Sequence, residues 1–202
     1  MQNRFLLTIL SFLIFTNASF GQDDSNSSRS SYNKIYFGIE QDVLPYILSG
    51  FIVTGWAGIK KTRIRASYAH ANSPKFFRKK NIDFEQTRAT GLNVEFFFKS
   101  EFEGFWVGPG LGYWWNRVKN DAEVQVRDFS SVVLSVGGGY NWFIWKGLYI
   151  SPWVAGHFRL TGNKGFEMGG ELYKPMLITP EVSLKIGWCF GREDKKKVPK
   201  KH

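Results

Sequence analysis

The side chains able to do chemistry in this chain lie singly inside apolar, alternating segments. Glu40, Arg65, Asn93, Glu95, Asn141, His157, Arg159, Glu181 and Lys185 each adjoin an apolar residue. A histidine beside an acid could move protons. Opposite charges held in an apolar setting must pair or meet water. No His, Cys or acidic residues are spaced as metal ligands, and the single Cys189 excludes both an internal disulfide and a cysteine-rich zinc site. The glycines of VGPGLGYW and VGGGYNW lie in extended segments with no helix after them, so no phosphate-cradling loop and no cofactor is expected. A different chemistry marks PKFFRKK, where Lys75, Arg78, Lys79 and Lys80 surround Phe76 and Phe77. Such cations suit phosphate groups and such rings suit an interface, which makes lipopolysaccharide the expected contact. A solvated loop is the other reading of that run.

The elements that must position these residues have a period near two. Eight segments carry it: Lys34–Gln41, Phe51–Ile59, Arg63–His70, Arg88–Lys99, Phe105–Asn116, Phe129–Ile144, Leu148–Arg159 and Thr179–Phe190. In the last, Val182, Leu184, Ile186, Trp188 and Phe190 alternate with Glu181, Ser183, Lys185, Gly187 and Cys189. Successive strand side chains point to opposite faces, so each segment has one apolar face and one small or polar face. The second segment, FIVTGWAGI, is apolar on both parities and its phase stays open. Connections alternate too: KKT, SEFEG and WKG are short, and those between are longer. This pattern predicts an all-β fold, an eight-stranded antiparallel up-and-down transmembrane β-barrel with short periplasmic turns and long outer loops. An even strand number puts both termini in the periplasm.

The flanks fit the same compartment. MQNR, the largely apolar FLLTILSFLIF and the small residues of TNASFG make residues 1–21 a signal peptide. That core is too short to span a bilayer as a helix, which takes ~20 residues. Residues 22–31 read as a flexible leader, 32–190 as the barrel and 191–202 as a basic periplasmic tail. Loss of the signal peptide removes one Arg from a chain of net charge +10. An exported basic protein is not expected to meet nucleic acid; anionic lipid or lipopolysaccharide is the expected counter-charge, or the tail is simply solvated.

Phe98, Phe105, Trp142, Trp145, Trp188 and Phe190 are expected at one membrane rim, and Tyr68, Tyr113, Trp115 and Phe129 at the other. The charged residues named first, with Asn116, fall on the inward parity. Strand phase predicts ion pairs Arg65–Glu95 and Glu40–Lys185. Pro109, Pro152 and Pro180 fall inside strands, where each removes a ladder hydrogen bond. A bulge is expected at Pro109, between two glycines; Pro152 is unexplained. An eight-stranded barrel is just wide enough for side chains to fill it, so a polar plug is expected, with a narrow conduit as the alternative.

With these residues in place, the chain resembles the small eight-stranded outer-membrane barrels, the class of the OmpA membrane domain, OmpX and OmpW. The resemblance covers residues 32–190 through architecture, and its most local part is the closing LKIGWCF, where Lys185, Gly187 and Phe190 fit the terminal strand that such barrels present to the barrel-assembly machinery. In those barrels that strand often ends the protein; here a basic tail follows. The resemblance implies location in the bacterial outer membrane and insertion by that machinery; a monomer is expected. It implies no single activity, since members include adhesins, narrow channels and lipid-modifying enzymes. The enzymes use a His with a Ser and an acid; His70 near Ser73 and His157 are the candidates here, and neither lies in the His-Ser-Asn run of lipid A deacylases.

Overall fold

The computed structural model describes residues 34–47, 49–72, 82–120, 126–168 and 170–192. The expected signal peptide and leader, the run holding Lys75, Arg78, Lys79 and Lys80, and the tail beyond Arg192 lie outside the described residues. Ten strands follow in order: β1 Ile35–Asp42, β2 Phe51–Ile59, β3 Thr62–Asn72, β4 Ile82–Phe97, β5 Gly104–Asn120, β6 Val126–Trp145, β7 Leu148–Arg159, β8 Phe166–Met168, β9 Glu171–Tyr173 and β10 Ile178–Phe190. Eight close a barrel in the order β1-β10-β7-β6-β5-β4-β3-β2, every pair antiparallel. Closure leaves no unpaired sheet edge, which a spanning sheet in lipid requires.

The outer face is the apolar parity. Ile35, Phe37 and Ile39 of β1 and Val182, Leu184 and Ile186 of β10 are exposed. Strand β2 is now phased: Thr54 and Trp56 point inward, Phe51, Val53 and Ile59 outward. Along β5 the outward positions from Phe105 to Trp115 carry no charge. Ten residue steps of ~3.3 Å in a strand tilted ~40° give a belt ~25 Å tall, the height of a bilayer's apolar layer in such barrels. Phe98, Phe105, Trp142, Trp145 and Phe190 stand exposed at the short-turn rim. Trp188 is half-buried there and meets Trp145 edge-on at 6.1 Å. Tyr68, Tyr113 and Trp115 stand exposed at the long-loop rim. Phe129 does not join them. It pairs with inward-facing Asn116 and packs inside, against Phe166 and Tyr173.

The prolines are accommodated without slippage. Pro109 stays in register with Val136, so the bulge expected there is absent. On its other side Asn93↔Gly110 and Phe96↔Val107 keep one register, but the two rungs between are missing. Pro152 behaves alike: it pairs with Leu184 of β10, while the ladder to β6 skips from Gly139↔Trp153 to Trp142↔Ile150. Each ring sits on the exposed face. A missing N–H on one edge thus removes rungs toward one neighbour and leaves the other ladder intact.

Two of the short turns bend through Lys60 (φ 55°) and Lys146 (φ 44°), in the left-handed region that tight hairpins require. Gly147 completes the second; a Cβ there would strike the Cys189 carbonyl oxygen. Strands β4, β5 and β6 run well past the rim aromatics, into stretches expected to be loop. The connection after β7, expected as one of the long outer loops, instead forms the β8–β9 hairpin. It folds over the inward side of the long-loop ends of β4, β5 and β6: Met168 and Tyr173 pack on Val118, the Asn120 amide donates to the Met168 carbonyl at 3.1 Å, and the Tyr173 hydroxyl donates to Glu85 at 3.2 Å.

Candidate functional site: a charged lumen between two caps

The lower half of the lumen is built by inward positions of β1, β3, β4, β7 and β10. Arg63 and Arg65, two apart on β3, share one face. Arg63 donates through Nε to Glu95 at 2.6 Å, and its second amino group lies 3.0 Å from Glu40. Arg65 donates through Nε to Glu40 at 2.8 Å and through its own amino group to Glu95 at 2.9 Å. Two guanidinium forks and two carboxylates therefore close a square. The Tyr149 hydroxyl ties it to a third wall: it donates to Glu40 at 2.6 Å and accepts from Trp56 at 2.8 Å and Arg63 at 3.1 Å. All of these side chains are nearly or wholly buried. Stripping water from such charges costs several kcal/mol per ion, and only close, multiply bonded partners offset it.

Lys185 completes the cluster differently. Its ammonium lies 3.6 Å from Glu95, too far for a hydrogen bond, and between the rings of Trp106 (4.4 Å) and Trp153 (4.3 Å). The expected Glu40–Lys185 pair is not formed. The closing register sets Glu40 opposite Gly187 and Asp42 opposite Lys185, and Glu40 is taken by both arginines. Arg65 does meet Glu95, reaching diagonally, because the residue directly opposite Glu95 is Arg63.

A stopper closes the short-turn end. The turn after β4 passes through Glu101 (φ 61°) and Phe102 (φ 59°), a conformation unfavourable for residues with a Cβ. Its effect is to drive Phe102 into the lumen, 1% exposed, edge-on to Trp56 (5.3 Å) and Phe97 (5.5 Å). Asn141 donates to the Phe102 carbonyl at 3.2 Å. Arg192, just past β10, holds the turn by donating to the Glu101 carbonyl at 2.5 Å and to Glu103 at 3.0 Å.

Above the square lies a chamber of about 130 Å³ whose walls include Ser67, Gly91, Asn93, Gly137 and Ala155. Its charged wall is a three-residue hydrogen-bond chain: Ser135 Oγ lies 2.8 Å from His157 Nδ1, and His157 Nε2 lies 2.7 Å from Glu181. Trp114 backs the imidazole at 5.4 Å. Higher still, Arg159 bonds Ser131 and the Met176 carbonyl (3.1 Å) beneath the β8–β9 hairpin. The sequence-derived lumen residues thus divide among four places: Glu40, Arg65, Glu95 and Lys185 in the square, Asn141 at the stopper, Asn93, His157 and Glu181 on the chamber, and Arg159 at the mouth. Arg63, Tyr149, Ser135 and Phe102 were missed. Arg63 shares the parity of Arg65 and was detectable by that alone; Phe102, in a turn, carries no periodic signal. No metal-ligand cluster occurs among the described residues.

No known protein family matches the sequence, and no curated protein matches it. Among solved structures the chain is similar to a major outer membrane protein of Thermus thermophilus, with TM-score 0.54 and 9% identity over 78% of this chain and 100% of that one. It is also similar to the Neisserial surface protein A (0.47, 10% identity, 76% and 93% covered) and to the N-terminal β-barrel domain of Pseudomonas aeruginosa OprF (0.45, 11%, 77% and 96%). Identities this low speak to fold alone. With the closed eight-stranded antiparallel sheet, the chain has the fold of the small eight-stranded outer-membrane β-barrels.

Proposed function

We propose that this chain is an outer-membrane barrel with a plugged lumen, serving envelope structure or surface contact through its long-loop end, with both termini in the periplasm. The observation that carries the plug is the buried Arg63–Arg65–Glu40–Glu95 square sitting on inserted Phe102. The uncharged ~25 Å belt between two aromatic rims supports the membrane placement. On this reading the exposed Phe190 and the strand before it are what the barrel-assembly machinery meets. Planar-bilayer recording of the refolded protein tests the plug: no conductance steps are expected, and steady openings would replace it with a narrow channel.

One observation favours a second reading. The Ser135–His157–Glu181 chain has the connectivity of a nucleophile, a base and an orienting acid. Facing a small chamber, it would suit acyl transfer from a small ester: Ser135 Oγ would bond to the acyl carbon as its proton passes to His157, and the ester C–O bond would break with the alcohol leaving on that proton. Labelling by a fluorophosphonate, compared with Ser135→Ala, decides it; equal labelling of both would remove the enzyme reading.

A further inference from the structure

We infer that the outer surface of the barrel at the long-loop rim holds a site for a phosphate-bearing glycolipid of the surrounding leaflet, built by Arg88, Arg117, Tyr68 and Trp115. This rests on the membrane placement proposed above. Arg88, Trp115 and Ser130 are cross-strand neighbours in one row over β4, β5 and β6, with Arg117 and Asp128 as the next pair. Together with Tyr68 they line an open cavity of about 540 Å³. It opens on the outer face: Tyr68, Arg88, Trp115, Arg117 and Ser130 of its lining are on the outward parity, although inward-parity Asn116 and Phe129 also contribute to its wall.

The height of this cavity identifies its occupant. Below it the outward positions of β5 are uncharged down to Phe105. Tyr113 and Trp115 meet edge-on at 4.7 Å at the upper limit of that belt, where rings sit at the boundary between acyl chains and headgroups. Arg117 is the next outward residue of β5, so its guanidinium is at the level of lipid phosphates. Arg117 is held in a fixed fork by Asp128, at 2.8 and 3.0 Å. Arg88 makes no hydrogen bond or salt bridge among the described residues, although its charge reaches Asp128. Among the described residues, two cations against one anion leave a positive site, and Arg88 is the guanidinium without a hydrogen-bond partner there. Arginine's planar donor fork matches phosphate oxygens. Aromatic faces below would meet the sugar and the first acyl carbons. A lipid with phosphate on a sugar uses all of these features; a free anion uses only the arginines.

The test uses the full mature chain refolded in neutral detergent, with bound lipid read by native mass spectrometry. Bisphosphorylated lipid A, the same lipid after dephosphorylation, and phosphatidylglycerol are compared, with inorganic phosphate as competitor. Lipid A is expected to bind best. Arg88→Gln with Arg117→Gln should weaken it at least ~10-fold, the loss that follows from charge-assisted hydrogen bonds, while Lys146→Gln at the opposite rim should change nothing. Inorganic phosphate should displace lipid only weakly. Equal binding of dephosphorylated lipid, of phosphatidylglycerol, or by the double variant would overturn the site, as would full displacement by inorganic phosphate. Flotation of the wild type with phosphatidylcholine liposomes checks the placement separately: no insertion refutes the placement, whereas insertion without phosphate preference refutes only this site.

Discussion

Replacing Glu95 by Gln tests the energetic logic of the plugged lumen. Glu95 accepts from Arg63 at 2.6 Å and from Arg65 at 2.9 Å, and Lys185 has no other carboxylate as an ion pair partner among the described residues. The substitution is nearly isosteric, so it leaves no cavity and the effect is electrostatic. Three cations would then share Glu40 and the nearby Asp42 in a buried site. Removing one partner of a buried pair costs ~3–5 kcal/mol, because the remaining charge stays buried without compensation. With a urea dependence of about 2 kcal/mol per molar, the unfolding midpoint should fall by ~1.5–2.5 M. The assay is urea unfolding of the barrel in lipid vesicles, followed by tryptophan emission. Asp128→Asn is the control: it breaks an ion pair of similar geometry that is exposed, so its shift should be a small fraction of that of Glu95→Gln. Equal shifts for the two variants would refute the claim that burial governs the square. So would an unchanged midpoint in Glu95→Gln.

Further expectations concern the two ends and the walls. Phe102→Ala removes the stopper and should cost ~3–5 kcal/mol in the same unfolding assay. An added methyl at Gly187 would sit 2.5 Å from the Tyr149 hydroxyl, so Gly187→Ala should displace Tyr149 from Glu40 and Trp56 and destabilise the fold by ~1–3 kcal/mol. Cys189 is 2% exposed and faces the lumen; maleimide should label it about 100-fold more slowly in the folded barrel than in urea, since reaction requires opening of the barrel.

The strands and their apolar outer face were legible because the segments alternate and the outward positions of the belt carry no charge, as a strand facing lipid would require. That constraint acts residue by residue, so Val182, Leu184 and Ile186 announce their orientation with no knowledge of neighbours. Where it was relaxed, legibility stopped. Strand β2 is apolar on both parities because Trp56 faces inward onto Arg63 and Tyr149 as an aromatic lumen residue. Phe129, expected at the rim, instead packs inward under the β8–β9 hairpin, because β6 extends beyond the apolar belt.

The sequence by itself determined the class: eight alternating segments, short and long connections, and charges confined to one parity. Pairing inside the lumen was decided only by the tertiary structure. Which inward residues meet depends on the stagger of strands around the closed sheet, a property of the whole circuit and of no single segment. That stagger placed Lys185 opposite Asp42 instead of Glu40. Long arginine side chains then reached diagonally to make the square, and a turn bent through left-handed conformations turned Phe102 from a loop residue into the floor of the lumen.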